Sequence, residues 1–207
     1  MTSSKFIIFE GNEGTGKSTH ISFASDYLTQ KKIKHIVTRE PGGTPLGESI
    51  RSTLLDQNSS LDSLSEALLF YASRNINYNQ IILNSLERNE YVICDRFHYS
   101  TLVYQGVAVN DENVVKLHKV LDPYFSKNIS LIFHLDASIK TCLSRIESRS
   151  SSDKFENQGK DFLIKIKNSY NQIFKNNNKV VKIMTDSGKE KVQKIIAIQL
   201  DKLINEK

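Results

Sequence analysis

FIIFEGNEGTGKST, residues 6–19, is an apolar run closed by a carboxylate, followed by three glycines and a lysine within seven positions. Gly11-Asn12-Glu13-Gly14-Thr15-Gly16-Lys17-Ser18 fits G-x-x-x-x-G-K-[ST], with Thr19 beyond it. Each requirement has a physical cause. Glycines let the backbone turn so that successive amide N–H groups point inward around phosphate oxygens. A helix starting near Lys17 presents the positive end of its dipole to the same anion. Lys17 reaches the β- and γ-phosphates, and the Ser18 hydroxyl can ligate Mg2+. An apolar strand before and a helical pattern after supply the setting the motif needs, so the stretch is expected to hold a nucleoside triphosphate.

Working outward, short β-rich runs alternate with helical patterns. Strands are expected at Phe6–Glu10, His35–Thr38, Tyr91–Asp95, Ser130–Asp136 and Lys179–Met184. Several are continuous apolar runs of the kind buried on both faces of a parallel sheet. Leu61, Leu64, Leu68 and Tyr71 recur at helical spacing, as do Phe162, Ile166, Tyr170 and Ile173, and Val192, Ile195, Ile196, Leu200 and Leu203. The alternation implies an α/β fold: a doubly wound, five-stranded parallel sheet flanked by helices. No internal repeat or linker divides the 207 residues, and one domain, 1–207, is expected. Asp95 closes the strand YVICD at the carboxyl end of the sheet, where ligands collect, and can hold Mg2+ or orient a nucleophile; as a bare N-cap it would do neither.

Composition sets outer bounds. No apolar run approaches the roughly 20 residues of a membrane helix, and residues 1–5 lack a signal-peptide core. Cys94 and Cys142 lie far apart, outside metal-ligand spacing, and read as reduced thiols of a cytoplasmic protein. The net charge of +5 splits into −1 for residues 1–103 (10 Lys/Arg, 11 Asp/Glu) and +6 for 104–207 (18 against 12). Most of the excess is Lys spaced along amphipathic helices, a solvated face rather than a nucleic-acid reader. Arginine is scarce, seven against 21 Lys; Arg39, Arg74, Arg96, Arg145 and Arg149 fall beside motif-like residues, while Arg51 and Arg88 lie elsewhere.

Regulatory GTPases add D-x-x-G and N-K-x-D strings, and neither occurs. After the phosphate loop come TREPGGT (38–44), LLFYASR (68–74), DRFHYSTLVYQG (95–106) and SRIESRSSSDKFE (144–156). In this order they resemble the thymidylate kinase family from Lys5 to about Phe174. The resemblance implies an ATP-dependent dTMP kinase using Mg2+, working in the cytoplasm as a homodimer, off membranes and nucleic acid, with a lid at about 144–156.

It also implies roles. Phe70 is expected to stack on thymine, Arg74 to donate to a thymine carbonyl, and Ser100 to complete recognition of the pyrimidine edge. Tyr104 would lie under the deoxyribose and exclude a ribose 2′-hydroxyl, with Gln105 supporting that pocket. Arg39 and Arg96 would clamp the acceptor phosphate. Glu13 would meet the sugar 3′-hydroxyl, while Glu40 and Pro41 wall the pocket. Asp95 and Ser18 are the expected metal ligands, and Lys17, Asp95 and Arg96 the expected catalytic groups. Members of the family carry the catalytic arginine in the loop or in the lid. Gly14 stands at the loop position, which directs attention to the lid. There D-R-x-E is replaced by Asp153-Lys154-Phe155-Glu156. Lys154 keeps the charge without the fork, so the role at the transferred phosphate is expected to fall to one of Arg149, Lys154 and Arg145, the last near the lid base and also expected to bind ATP. Two alternatives stay open: a kinase for UMP, dUMP or thymidine, and a phosphate-loop ATPase whose hydrolysis drives binding to a partner.

Overall fold

A computed structural model describes residues 5–148, 154–155 and 158–205. β1 (Phe6–Gly11) leads through the phosphate loop into α1 (Lys17–Gln30), then β2 (His35–Arg39), α2 (Pro45–Leu55) and α3 (Ser63–Asn77). A π-helical turn (Tyr78–Ile82) joins α3 to α4 (Leu83–Glu87) and β3 (Tyr91–Asp95). α5 (His98–Thr101) runs into a second π-turn (Leu102–Gly106), followed by α6 (Glu112–Ser126) and β4 (Ile129–Asp136). α7 (Ile139–Glu147), α8 (Gly159–Ile173), β5 (Val180–Met184) and α9 (Lys189–Asn205) complete the chain.

The five strands pair in the order β2-β3-β1-β4-β5, all parallel. β1 sits at the centre and every one of its residues is buried, which is why its sequence is a continuous apolar run. Alternate residues face opposite layers. Phe6 and Ile8 join Val92, Phe97, Phe125, Ile166 and Tyr170 on one side. Ile7 and Phe9 join Ile21, Leu28, Val192, Ile196 and Leu200, from α1 and α9, on the other. The register sets Asp95 opposite both Phe9 and Arg39, and Gly11 opposite Leu135. The carboxyl ends of β1, β2 and β3 are therefore level, and the crevice expected at such an edge opens there.

All five expected strands form, shifted by a residue at four of their ends. The stripe Leu61–Leu64–Leu68–Tyr71 needs correction. Leu61 precedes Asp62, whose side chain caps α3 by accepting from the Ser65 N–H, and Leu68 is 51% exposed. The buried positions of α3 include Glu66, Ala67, Tyr71, Ser73, Arg74 and Asn77, a largely polar set that lies beside the crevice.

Four of the five histidines are buried. Burial pulls His20, His98 and His134 down to about 4 and His118 to about 3. Asp122, hydrogen-bonded to His98 at 2.8 Å, opposes the shift there. The unfolded chain takes up these protons near pH 6.5, whereas the fold resists them until about pH 4 or below. The histidines' contribution to stability is thus complete above about pH 6.5 and falls as the pH drops toward 4, while Glu40, which burial pushes up to about 7, contributes in the opposite direction over the same range. Following the imidazole NMR signals against pH tests the burial directly: these four rings should stay neutral down to about pH 4, and rings titrating near pH 6.5 would contradict it.

Candidate active site

The loop's glycines are sterically required. Gly11 has φ +143° and a Cβ there would stand 2.1 Å from the Leu135 carbonyl oxygen. Gly14, at φ +73°, would meet the Cys142 carbonyl oxygen at 2.5 Å. Asn12 ties the loop to α8 by donating Nδ2–H to the Leu163 carbonyl (2.8 Å), and its Oδ1 accepts from the Glu13 N–H (3.0 Å). The Thr15 hydroxyl donates to the Asn12 carbonyl at 2.8 Å. Lys17 bends back and donates to the carbonyls of Gly11 (3.1 Å) and Asn12 (2.9 Å). Burial, then the nearby Arg96 charge, lowers its pKa. α1 has no side-chain cap, which leaves its first amides to an anion.

A cavity lies over the loop, lined by Glu13, Gly14, Gly16, Lys17, Ser18, Arg39, Glu40, Arg51, Asp95 and Arg96. Asp95 Oδ1 is buried without a hydrogen-bond partner and lines the same space as the Ser18 hydroxyl-bearing residue. An orphaned carboxylate oxygen beside Ser18 suits a hard divalent cation held by oxygen ligands.

A second pocket adjoins it, lined by Glu13, Glu40, Pro41, Arg51, Leu55, Phe70, Arg96, Ser100, Thr101, Tyr104, Gln105 and Phe155. Glu13, Glu40, Arg51 and Arg96 belong to both, so the two spaces meet at charged side chains. Arg96 is the hub and has the strained φ of +64°. Its guanidinium pairs with Glu13 and donates to the Gly11 carbonyl (3.0 Å), Ser100 Oγ (3.1 Å) and the Tyr104 hydroxyl (3.2 Å). Beneath it lies Glu10, whose carboxylate accepts from the Phe97 and Ser100 N–H groups and from the hydroxyls of Ser100 (2.6 Å) and Tyr170 (2.9 Å). Burial raises Glu10's pKa against these bonds. The π-turn after α5 brings Tyr104 and Gln105 to the wall.

Behind the pocket, Arg74 and Glu40 form an ion pair at 2.5 Å, each side chain 1% exposed. Arg74 also donates to Thr101 Oγ1 at 3.0 Å. Burial pushes Glu40 up to about 7, with the Arg74 charge opposing. On the far side of the loop, Gly14, Gly16, Thr19, His20, Arg145 and Thr185 line a third groove. There Arg145 donates to the Gly14 carbonyl (3.1 Å) and Thr185 Oγ1 (3.0 Å).

The expected residues are thus gathered with few departures. Arg74 backs the acceptor pocket but is not part of its lining. Arg39 lines the loop cavity, paired with Glu48 at 2.9 Å and largely exposed, and does not reach the second pocket. Lys154 departs furthest: it donates to Glu66 (2.5 Å) and the Ser59 carbonyl (3.1 Å) and lines neither the loop cavity nor the Arg145 groove. Its short reach and single nitrogen are committed to a buried carboxylate. Arg149, Asp153 and Glu156 lie outside the described residues. Arg51 was set apart in the sequence, yet it lines both spaces and donates to the Pro41 carbonyl at 3.0 Å. Tyr170 and Leu55 are the other site residues outside every quoted motif, and Glu10 and Phe155 lie inside quoted stretches without a role assigned to them there.

A strand–loop–helix phosphate cradle joined to a charged acceptor pocket defines a phosphate-loop phosphotransferase. Residues 9–196 match the family model described as thymidylate kinase. A thymidylate kinase of Caldicellulosiruptor saccharolyticus is 36% identical over 205 residues, 98% of this chain and 98% of the relative. One from Ruthia magnifica is 40% identical over 190 residues, 90% of this chain and 92% of the relative. The crystal structure of thymidylate kinase from Ehrlichia chaffeensis aligns with a TM-score of 0.72 at 29% identity, covering 98% of each chain. The chain belongs to the thymidylate kinase family, whose members are ATP-dependent nucleoside monophosphate kinases.

Proposed function

We propose that this chain, acting as one kinase domain, transfers the γ-phosphate of ATP to dTMP, giving dTDP and ADP. The observation that carries the reading is the shared boundary of the two spaces, Glu13, Glu40, Arg51 and Arg96, where a donor phosphate over the loop would meet an acceptor phosphate. Phosphoryl transfer asks for charge neutralisation and two oxygens in line more than for covalent chemistry. The loop amides and Lys17 would hold the donor phosphates, Lys17 exchanging two carbonyl partners for phosphate oxygens. Arg96 and Arg51 would draw the acceptor phosphate to the boundary, and Arg39, from the loop side, would add charge. Arg145 would pack beside the donor's base. Ser18 and Asp95 would hold Mg2+, which offsets the charge on the transferred group when bound.

Phe70 and Tyr104 would take the base and the deoxyribose, with Ser100 and Gln105 at the polar edges. Glu13, paired with Arg96 at the pocket wall, would meet a sugar hydroxyl. The family's dimeric habit makes a homodimer the working assembly. The direct test is ADP release from MgATP with dTMP, dUMP, UMP, dCMP, thymidine or no acceptor. Release with dTMP, and weakly with dUMP, is expected. Release at one rate regardless of acceptor would replace the kinase reading with an ATPase.

A further inference from the structure

Glu66 sits on α3 one helical turn before Phe70 and is 7% exposed. Its two oxygens serve different parts of the chain. Oε1 receives the Lys154 ammonium at 2.5 Å, and Oε2 accepts from Gln105 Nε2 at 3.1 Å. Lys154 also donates to the Ser59 carbonyl, just ahead of α3, at 3.1 Å. The next residue, Phe155, is 9% exposed and turns its ring toward Phe70 (centroids 6.1 Å apart) and edge-on to Tyr104 (5.9 Å). Phe70, Tyr104, Gln105 and Phe155 all line the acceptor pocket. One buried carboxylate thereby joins the base platform, the π-turn wall and the 154–155 segment.

We propose that Glu66 is a positioning residue for the acceptor pocket: it seats Lys154 so that Phe155 closes the base site, and Lys154 serves acceptor binding instead of the transferred phosphate. The inference rests on the kinase reading above. A buried carboxylate requires a paired cation, and Lys154 supplies it. A lysine suits this seat, because a compact ammonium can bridge a carboxylate and a backbone carbonyl. At a transferred phosphate the bidentate fork would be the better group, which gives the lysine in Asp153-Lys154-Phe155-Glu156 a physical reason. Gln105, held by the other oxygen, keeps the π-turn in step with the segment.

The experiment is a double-mutant cycle with Lys154→Met, Glu66→Gln and the pair, each checked by thermal melting. It reads dTMP binding by calorimetry without ATP, and kcat and KM for both substrates. Each single change is expected to weaken dTMP binding about tenfold without a comparable loss of kcat or of ATP binding. The pair should be little worse than either single, because the two act through one contact. Lys154→Arg, which keeps the ion pair, should stay within about threefold of the parent chain in dTMP binding. A loss of kcat on the order of a hundredfold with dTMP binding intact would put Lys154 at the transferred phosphate and overturn the proposal. Strictly additive losses would overturn it as well. Failure of the kinase reading would look different: dTMP would neither bind the unaltered protein nor stimulate ADP release.

Discussion

Lys17→Ala should lower phosphoryl transfer by on the order of a thousandfold while leaving the fold intact. Among the described residues the Lys17 ammonium donates to two loop carbonyls, those of Gly11 and Asn12, and the strand and the Asn12–Leu163 tie that position these residues do not depend on it. Removing it therefore costs little stability. On a donor phosphate the same charge is oriented and shielded from water, where one such donor to developing charge is worth roughly 10²–10³-fold or more in rate. The checks are single-turnover ADP formation and a thermal melt. Activity within tenfold of the parent chain would mean that the donor site lies elsewhere.

Arg74→Ala should be the most destabilising single change at the site. Arg74 and Glu40 are each 1% exposed and face one another at 2.5 Å. Alanine leaves Glu40 buried without its cation, at a cost of up to about 3–5 kcal/mol that is reduced as Glu40 takes up a proton, against a total stability of roughly 5–15 kcal/mol for a domain. It also removes the guanidinium donor from Thr101 Oγ1. Chemical denaturation measures the loss; a change below about 1 kcal/mol would show that the pair is far more hydrated than its burial implies. Arg74→Lys keeps the charge and gives up the fork. If the guanidinium reads the base, that variant should raise KM for dTMP and spare KM for ATP. An equal rise for both would confine Arg74 to holding the pocket's rear wall.

The central strands and the loop were legible in the sequence because their causes are local: continuous apolar runs for β1 and β3, and glycines where the backbone must turn. What escaped depends on distance through space. Arg51 carries no motif and is one arginine in an amphipathic helix, yet α2 carries it to both cavities. The scarcity of arginine was the available signal. Tyr170 was read from its spacing as a core residue of α8, and its ring is; only the fold shows that its hydroxyl reaches Glu10 and Ser100. A buried tyrosine needs a partner for that hydroxyl, so the polar end was a fair place to look. Leu68 failed for the opposite reason, since α3 spends much of its inner face on polar groups that build the pocket. Spacing within 144–156 cannot say which way the flexible Lys154 side chain turns, and its contact with Glu66, 88 positions away, shows up only in the fold.

Gly14 carries a steric consequence. The two arrangements in this family, arginine in the loop or arginine in the lid, look from sequence like alternatives one codon apart. Here they are separated by a steric gap: any side chain at position 14 must take φ +73° and push its Cβ to within 2.5 Å of the Cys142 carbonyl oxygen. The loop or α7 would have to shift before an arginine could enter. With glycine held here, the loop's side-chain charge is confined to Lys17 and Glu13, and any added arginine at the transferred group would have to reach in from another element.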